Sequence, residues 1–311
     1  MRRYLFFDLI TQGYLVLVAL LLLAGHHDRV NHWPRLLAAH GLGLVLIHLL
    51  IRVGSRPNAP GPLRLVRHLY PLALYTLFYR ESEHLNQLFV TGYLDPTIIR
   101  WEQALFGGQP SLVFMETFPG FLVSESFYAA YLCFYLMIGG LAIYLYIRNR
   151  DHYVHYMSVT TFVFYACYLC FIFLPIIGPR LFFGEVAGYS LPVSALPEVI
   201  PPYPESVLQG PLYRLTSLLY DHLEGAGGSV PSSHVAVAIC TAWFSFRYVP
   251  RIRHAHLLVV IWLCLATVYC RYHYALDLIT GCLAAAVLIP AGHYAYKTFQ
   301  RKAFPSALVK F

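Results

Sequence analysis

The sequence predicts an all-α integral membrane protein, a polytopic helical bundle of about eight transmembrane helices, with seven as the alternative. Three observations carry this. Of 311 residues, 58% are hydrophobic and only 12% are charged, and the mean hydropathy is +0.57. Soluble domains carry about 25% charged residues, so this chain has more apolar surface than a soluble core could hide. Second, apolar runs recur along the chain, parted by short clusters of Lys and Arg. Third, Tyr (25) and Phe (21) are abundant, as at helix ends set among lipid headgroups. The net charge of +7 falls in the clusters between runs, where it sets topology. A nucleic-acid partner is therefore not expected; the expected partners are the bilayer and a lipid, and no oligomeric state follows.

Arg2 and Arg3 precede the first run, Leu5 to about Ala24. It lacks a small-residue cleavage site and reads as a retained helix rather than a signal peptide. The second run covers about Leu37–Ile51. A shorter one, Val66–Tyr79, decides between eight spans and seven. Arg80–Pro119 reads as amphipathic interfacial segments (Trp101, Leu105, Phe106) broken by the Gly107-Gly108 turn. Further runs follow at Phe121–Ile147, Tyr156–Ile177, Val235–Tyr248, Leu257–Tyr269 and Leu276–Tyr294. Several are shorter than the roughly 20 residues an untilted span needs, so their ends extend into flanking residues.

Arg148, Arg150, Arg247, Arg251, Arg253, Lys297, Arg301 and Lys302 lie at one set of helix ends. Arg2, Arg3, Arg52, Arg56, Arg64 and Arg67 join that set if Val66–Tyr79 spans. Eight helices with both termini cytoplasmic put all of these inside, as the positive-inside rule requires. The extracytoplasmic side then holds Arg80–Pro119, the Pro- and Gly-rich stretch Pro179–Val230, and the junction Arg271–His273. A loop of some fifty residues is usually a functional one. The expected organisation is two additional N-terminal helices (residues 1–65) before a six-helix unit (66–311) with the extracytoplasmic loop 179–230, in a cell inner or plasma membrane. All seven cysteines lie in or beside apolar runs, so no structural disulfide is expected. Cys167 and Cys170 read as small apolar side chains rather than a redox pair.

Three elements with chemical potential fall on the outer side. Gly227-Gly228-Ser229-Val230-Pro231-Ser232-Ser233-His234 leads into a helix whose capped N-terminus would attract an anion. His234 there could give a proton to a departing oxygen, although a plain capped helix start explains the segment equally well. In Arg271-Tyr272-His273-Tyr274-Ala275-Leu276-Asp277, His273 and Asp277 share a face if the segment is helical. The carboxylate could then hold one imidazole nitrogen and leave the other nucleophilic, or the two could form an ordinary structural pair. Gly178-Pro179-Arg180 offers a guanidinium fork suited to phosphate, or a snorkelling arginine. Glu125, at the mouth of the fourth run, reads evenly as a substrate contact or as a partner of Tyr128 or a neighbouring helix. His26-His27 and His254/His256 have no matched partners, and no metal site is expected.

Taken together, Arg, then Ser-Ser-His, then Arg-x-His-x-x-x-Asp at successive helix ends resemble the type-2 phosphatidic acid phosphatase superfamily, over about Arg67 to the last helix. The resemblance implies a metal-independent phosphohydrolase or phosphotransferase without a cofactor. It implies His273 as nucleophile forming a phosphohistidine, Asp277 as its orienting partner and His234 as general acid. Arg180, Ser232, Ser233 and Arg271 would bind the substrate phosphate. The first motif lacks its usual Lys, and Thr267 and Ala266 stand where the third motif often has Ser-Arg. Those departures look more like the branch of inositol phosphorylceramide synthases and their bacterial relatives. The expected reaction is hydrolysis of a phosphatidic acid- or polyprenyl phosphate-like lipid, with transfer of a phospho-headgroup to an alcohol as the alternative. A transporter using Asp277 and Glu125 as ion sites is the distant third reading.

Overall fold

The computed structural model describes residues 4–26, 30, 32–184, 200–223 and 227–303. Arg2, Arg3, His27 and the loop stretches 185–199 and 224–226 lie outside the described residues. Among the described residues the chain forms helices and no strand. In order these are α1 (Phe6–Gly25), α2 (Trp33–Gly54), α3 (Gly61–Leu85), α4 (Asp95–Phe106), α5 (Pro110–Thr117), α6 (Phe121–Arg148) and α7 (Arg150–Phe173). After them come α8 (Pro179–Gly184), α9 (Glu205–Leu208), α10 (Pro211–Leu223), α11 (Ser233–Tyr248), α12 (Arg253–Tyr269) and α13 (Ala275–Ala303).

Each of the eight expected runs is a helix. Five of them, α1, α2, α6, α7 and α13, are long and apolar enough to cross a membrane, and α12 is a shorter apolar helix. Large apolar side chains on their outer faces, such as Leu122, Leu136 and Ile147, stand exposed, which is stable against hydrocarbon. The protein is a polytopic helical membrane protein. Its α11 has only sixteen residues, but eleven of them are buried. It lies among α6, α7, α12 and α13, so protein rather than lipid surrounds it and its polar Thr241 and Ser245 are tolerated there.

Helix α3 extends beyond Val66–Tyr79 at both ends, starting at Gly61-Pro62, where proline suits a first turn. It carries Arg67, which the charge pattern places among the topology-setting residues. In the structure Arg67 is 1% exposed and ion-paired with the fully buried Asp8 of α1. The other Asp8 oxygen accepts from the Tyr70 hydroxyl at 2.8 Å. Arg67 is thus an internal pin between α1 and α3, not a surface charge. Helix α7 is also shifted from Tyr156–Ile177. Asn149 caps it early, accepting from Asp151 N (3.0 Å) and His152 N (3.1 Å), and Pro175 follows its end. Gly178-Pro179-Arg180 therefore lies beyond the end of α7 and leads into α8.

Within Arg80–Pro119 the structure has the two short helices α4 and α5, with Trp101 and Leu105 exposed and Gly107 ending α4 at φ +71°. Arg80 to Leu85 instead continue α3. Helices α11 and α13 start beside His234 and Asp277 and carry Arg247, Arg301 and Lys302 in their last turns. The candidate site therefore lies at the end of the bundle away from those basic clusters.

Candidate active site

Ser232 is the N-cap of α11, its Oγ accepting from Val235 N at 3.3 Å. That cap sets the first turn, from which Ser233 and His234 project. His273 is not helical. It sits in the turn joining α12 to α13, where Tyr272 N and His273 N both donate to the Thr267 carbonyl, at 3.1 and 2.9 Å. The chain turns through Arg271, whose φ of 60° lies in the left-handed region that non-glycine residues rarely enter. Asp277, in the first turn of α13, then comes back to His273.

Asp277 Oδ2 accepts from Tyr274 N at 3.0 Å and lies 3.1 Å from His273 Nδ1. A carboxylate can only accept, so Nδ1 carries the proton and Nε2 presents its lone pair. That lone pair faces Ser232 Oγ at 3.2 Å and His234 Nδ1 at 3.3 Å. On its far side His234 Nε2 is 3.2 Å from the Tyr131 hydroxyl, and its ring packs on Phe134. His234, His273 and Asp277 are 7%, 5% and 0% exposed, so the constellation is shielded and its polar contacts are strong. The structure thus brings His234, His273, Asp277 and Ser232 into one hydrogen-bonded group.

Arg180 reaches this group through aromatic rings. Gly178 permits the approach: it has φ +87°, and a Cβ there would sit 2.6 Å from the Tyr272 carbonyl oxygen. Arg180 donates to the Tyr272 hydroxyl (3.2 Å) and to Ser217 Oγ (2.9 Å), and its guanidinium lies 4.6 Å from the Tyr220 ring centre. Tyr272 is itself sandwiched between Tyr131 and Tyr220, at 4.5 and 4.8 Å. Arg180 and His234 are therefore linked by the Tyr272–Tyr131 stack.

The remaining expected residues lie elsewhere. Ser233 lines an apolar cavity with His234. Arg271 is 4% exposed, donates to the Pro201 carbonyl at 2.7 Å and lies over Tyr203. Its hydrogen bond thus goes to the returning loop, not to the histidines. Glu125 Oε2 accepts from Leu212 N (2.9 Å) and Oε1 from Tyr213 N (3.2 Å). It caps the positive end of α10, the helix that supplies Ser217 and Tyr220 to Arg180. This is a pairing with a neighbouring helix.

Sequence reasoning missed two carboxylates on α4. Asp95 accepts from Ile177 N (3.1 Å), Gly178 N (3.0 Å) and the Tyr274 hydroxyl (3.0 Å). It joins the turn before Arg180 to the turn of His273. Glu102 Oε1 accepts from Leu276 N at 3.1 Å, at the start of α13. Burial, the dominant cause, raises both carboxyls from their usual range to about 7, against the hydrogen bonds that favour the charged form. The signal is present in the sequence, since 95, 98, 99 and 102 form one helical face around Ile98 and Ile99. Acidic residues are ordinarily assigned to the wet face, which hides it. Among the described residues no three His, Cys, Asp or Glu side chains converge as a metal site would require.

A family model described as the PAP2 superfamily matches residues 96–291, from the first turn of α4 into α13. That is more than half of the chain, and it includes every residue of the constellation. The protein belongs to the type-2 phosphatidic acid phosphatase superfamily, whose members are phosphatases and phosphotransferases. No curated protein and no solved structure matches the chain.

Proposed function

We propose that the protein hydrolyses a lipid phosphate of the phosphatidic acid or polyprenyl phosphate kind through a phosphohistidine, at the extracytoplasmic face of the membrane. The observation that carries this reading is the His273 Nε2 lone pair, held opposite His234 Nδ1 at 3.3 Å with Asp277 behind Nδ1. Substrate phosphorus takes the place of the Ser232 and His234 contacts on Nε2. The N–P bond forms as the P–O bond to the lipid breaks, and protonated His234 passes its proton to the departing oxygen. Asp277 stabilises the positive charge that the His273 ring acquires. Neutral His234 then takes a proton from water as its oxygen attacks phosphorus, and the P–N bond opens to release phosphate and restore both histidines. Ser232 and the N–H groups of the first turn of α11 face the charge on the non-bridging oxygens. Arg180 adds long-range positive potential through the tyrosine stack.

The second reading, transfer of the phospho-headgroup to an alcohol as in the inositol phosphorylceramide synthase branch, draws on a different observation. Among the described residues, Arg271 Nε and Nη2 and the Tyr203 hydroxyl are buried with no hydrogen-bond partner. Such groups are costly unless something polar satisfies them, and a polyhydroxylated acceptor has the right chemistry.

Phosphate release from a panel of lipid phosphates, by purified protein in detergent with a chelator, tests the proposal. Wild type is expected to release phosphate. His273→Ala should abolish release, and His234→Ala should lower kcat roughly 100- to 10,000-fold. Headgroup exchange only when inositol, a sugar or another alcohol is added would favour transfer over hydrolysis. Neither activity, with solute flux altered by His273→Ala, would return the transporter.

A further inference from the structure

His234 faces two environments. One side meets His273 and the other forms the end of a cavity of about 170 Å3. The cavity is walled by α3 and α6, with α7 behind, and Ser233 and His234 close its end toward the loops. Its walls are apolar and aromatic, with Tyr79, Phe134 and Tyr168 among them. Along α3 it extends from Tyr79 back to Leu72, about 10 Å at the helical rise. The cavity therefore runs parallel to the spans, from the reacting end into the depth of the bundle.

We propose that this cavity holds the first carbons of the single hydrocarbon chain attached to the phosphate-bearing oxygen. The inference rests on the reading of His234 as the acid that protonates that oxygen. The leaving group must then lie on the His234 side, where the Tyr131 hydroxyl is the polar neighbour and the cavity walls are apolar and aromatic. Size sets the occupant. An apolar cavity of about 150 Å3 takes one benzene, so this one admits one chain segment and not two side by side. Gly139 on α6 offers a place to fill it. A Cβ built on Gly139 meets nothing within 4 Å, and the residue lines the cavity. A larger side chain would extend into the slot without disturbing the helix, where glycine is itself a poor former. Gly140, next to it, also has nothing within 4 Å of its Cβ position and is exposed on the outer face.

The test pairs Gly139→Leu with the control Gly140→Leu, using a long-chain lipid phosphate and a water-soluble aryl phosphate. Gly139→Leu should lower kcat/KM for the long-chain lipid at least tenfold more than for the aryl phosphate, whose leaving group is only one ring deep, while Gly140→Leu should change neither. Equal turnover of the lipid by Gly139→Leu and wild type would overturn the proposal. A second readout is independent of turnover. A long-chain alkyl phosphonate carrying a photoreactive group a few carbons from the phosphorus should label peptides containing Tyr79 or Phe134, and Gly139→Leu should remove that label. Labelling elsewhere, or labelling unchanged in Gly139→Leu, would defeat the chain site. Labelling as expected with no turnover of either phosphate would defeat the catalytic reading instead.

Discussion

His273 takes its reactivity from what its other nitrogen touches. Asp277 fixes the Nδ1 proton, and the Thr267 carbonyl fixes the backbone of the turn, so Nε2 keeps its direction without a helix around it. His234 is held in a comparable way, between Phe134 and the hydroxyl of Tyr131. A hydroxyl within hydrogen-bond distance of an imidazole that must carry charge contributes about 1.5–3 kcal/mol. Tyr131→Phe is therefore expected to lower kcat about tenfold or more while KM stays near its wild-type value. Steady-state kinetics on one lipid phosphate measures the split, and a rise in KM alone would mean that Tyr131 serves binding only. The charge on Arg271 is buried at a left-handed backbone position, and its partners lie in the loop after residue 200. Proximity in sequence to His273 does not put it on the histidines.

At the scale of elements, helix α4 ties the site together from outside the family's familiar motifs. Asp95 bonds the Gly178 turn and Tyr274, and Glu102 bonds the start of α13. Both carboxyls are raised to about 7 by burial. A carboxyl raised in the folded state keeps its proton there at pH values where the unfolded chain has already lost it. Folding is then favoured at the acid side, and that contribution falls as pH rises from the ordinary values of 3.8 and 4.5 through about 7. Thermal unfolding in detergent should show lower Tm at pH 8 than at pH 5.5, and the Asp95→Asn/Glu102→Gln double variant should lose much of that fall. Gly178→Ala is expected to cut activity more than tenfold, since its Cβ would collide with the Tyr272 carbonyl. Phosphate release with the fold checked by size-exclusion profile reads this out.

What is legible at this scale follows from physics. Long apolar runs mark helices directly, so the eight runs and a capped helix start at Pro231-Ser232-Ser233 can be read from the residues alone. The ends of α7 differ from the apolar run because Asn149 and Pro175 settle them and hydropathy does not register either. The inward acids of α4 share a helical face with Ile98 and Ile99, but the usual assignment of acids to the wet face hides them, and the pairing of Glu125 with α10 is a contact between distant elements that leaves no local pattern.

In the whole molecule, α11 is the protein-enclosed axis, and α1 and α2 attach at its far side through α7 and α3. The Asp8–Arg67 pair is the polar pin of that attachment. Removing one member leaves a buried charge alone, at about 3–5 kcal/mol. Asp8→Ala should accordingly lower thermal stability markedly while sparing the histidine geometry. Replacing both residues with apolar ones of similar size should recover most of the loss, as measured by the same unfolding assay. The proposed chemistry turns on one bond, between phosphorus and His273 Nε2. The most direct measurement is mass spectrometry of the His234→Ala variant quenched in base after reaction with an aryl phosphate, whose leaving group needs no acid. Phosphate is expected on the peptide containing His273 and on no other. Turnover without that adduct, persisting in His273→Ala, would contradict a histidine nucleophile.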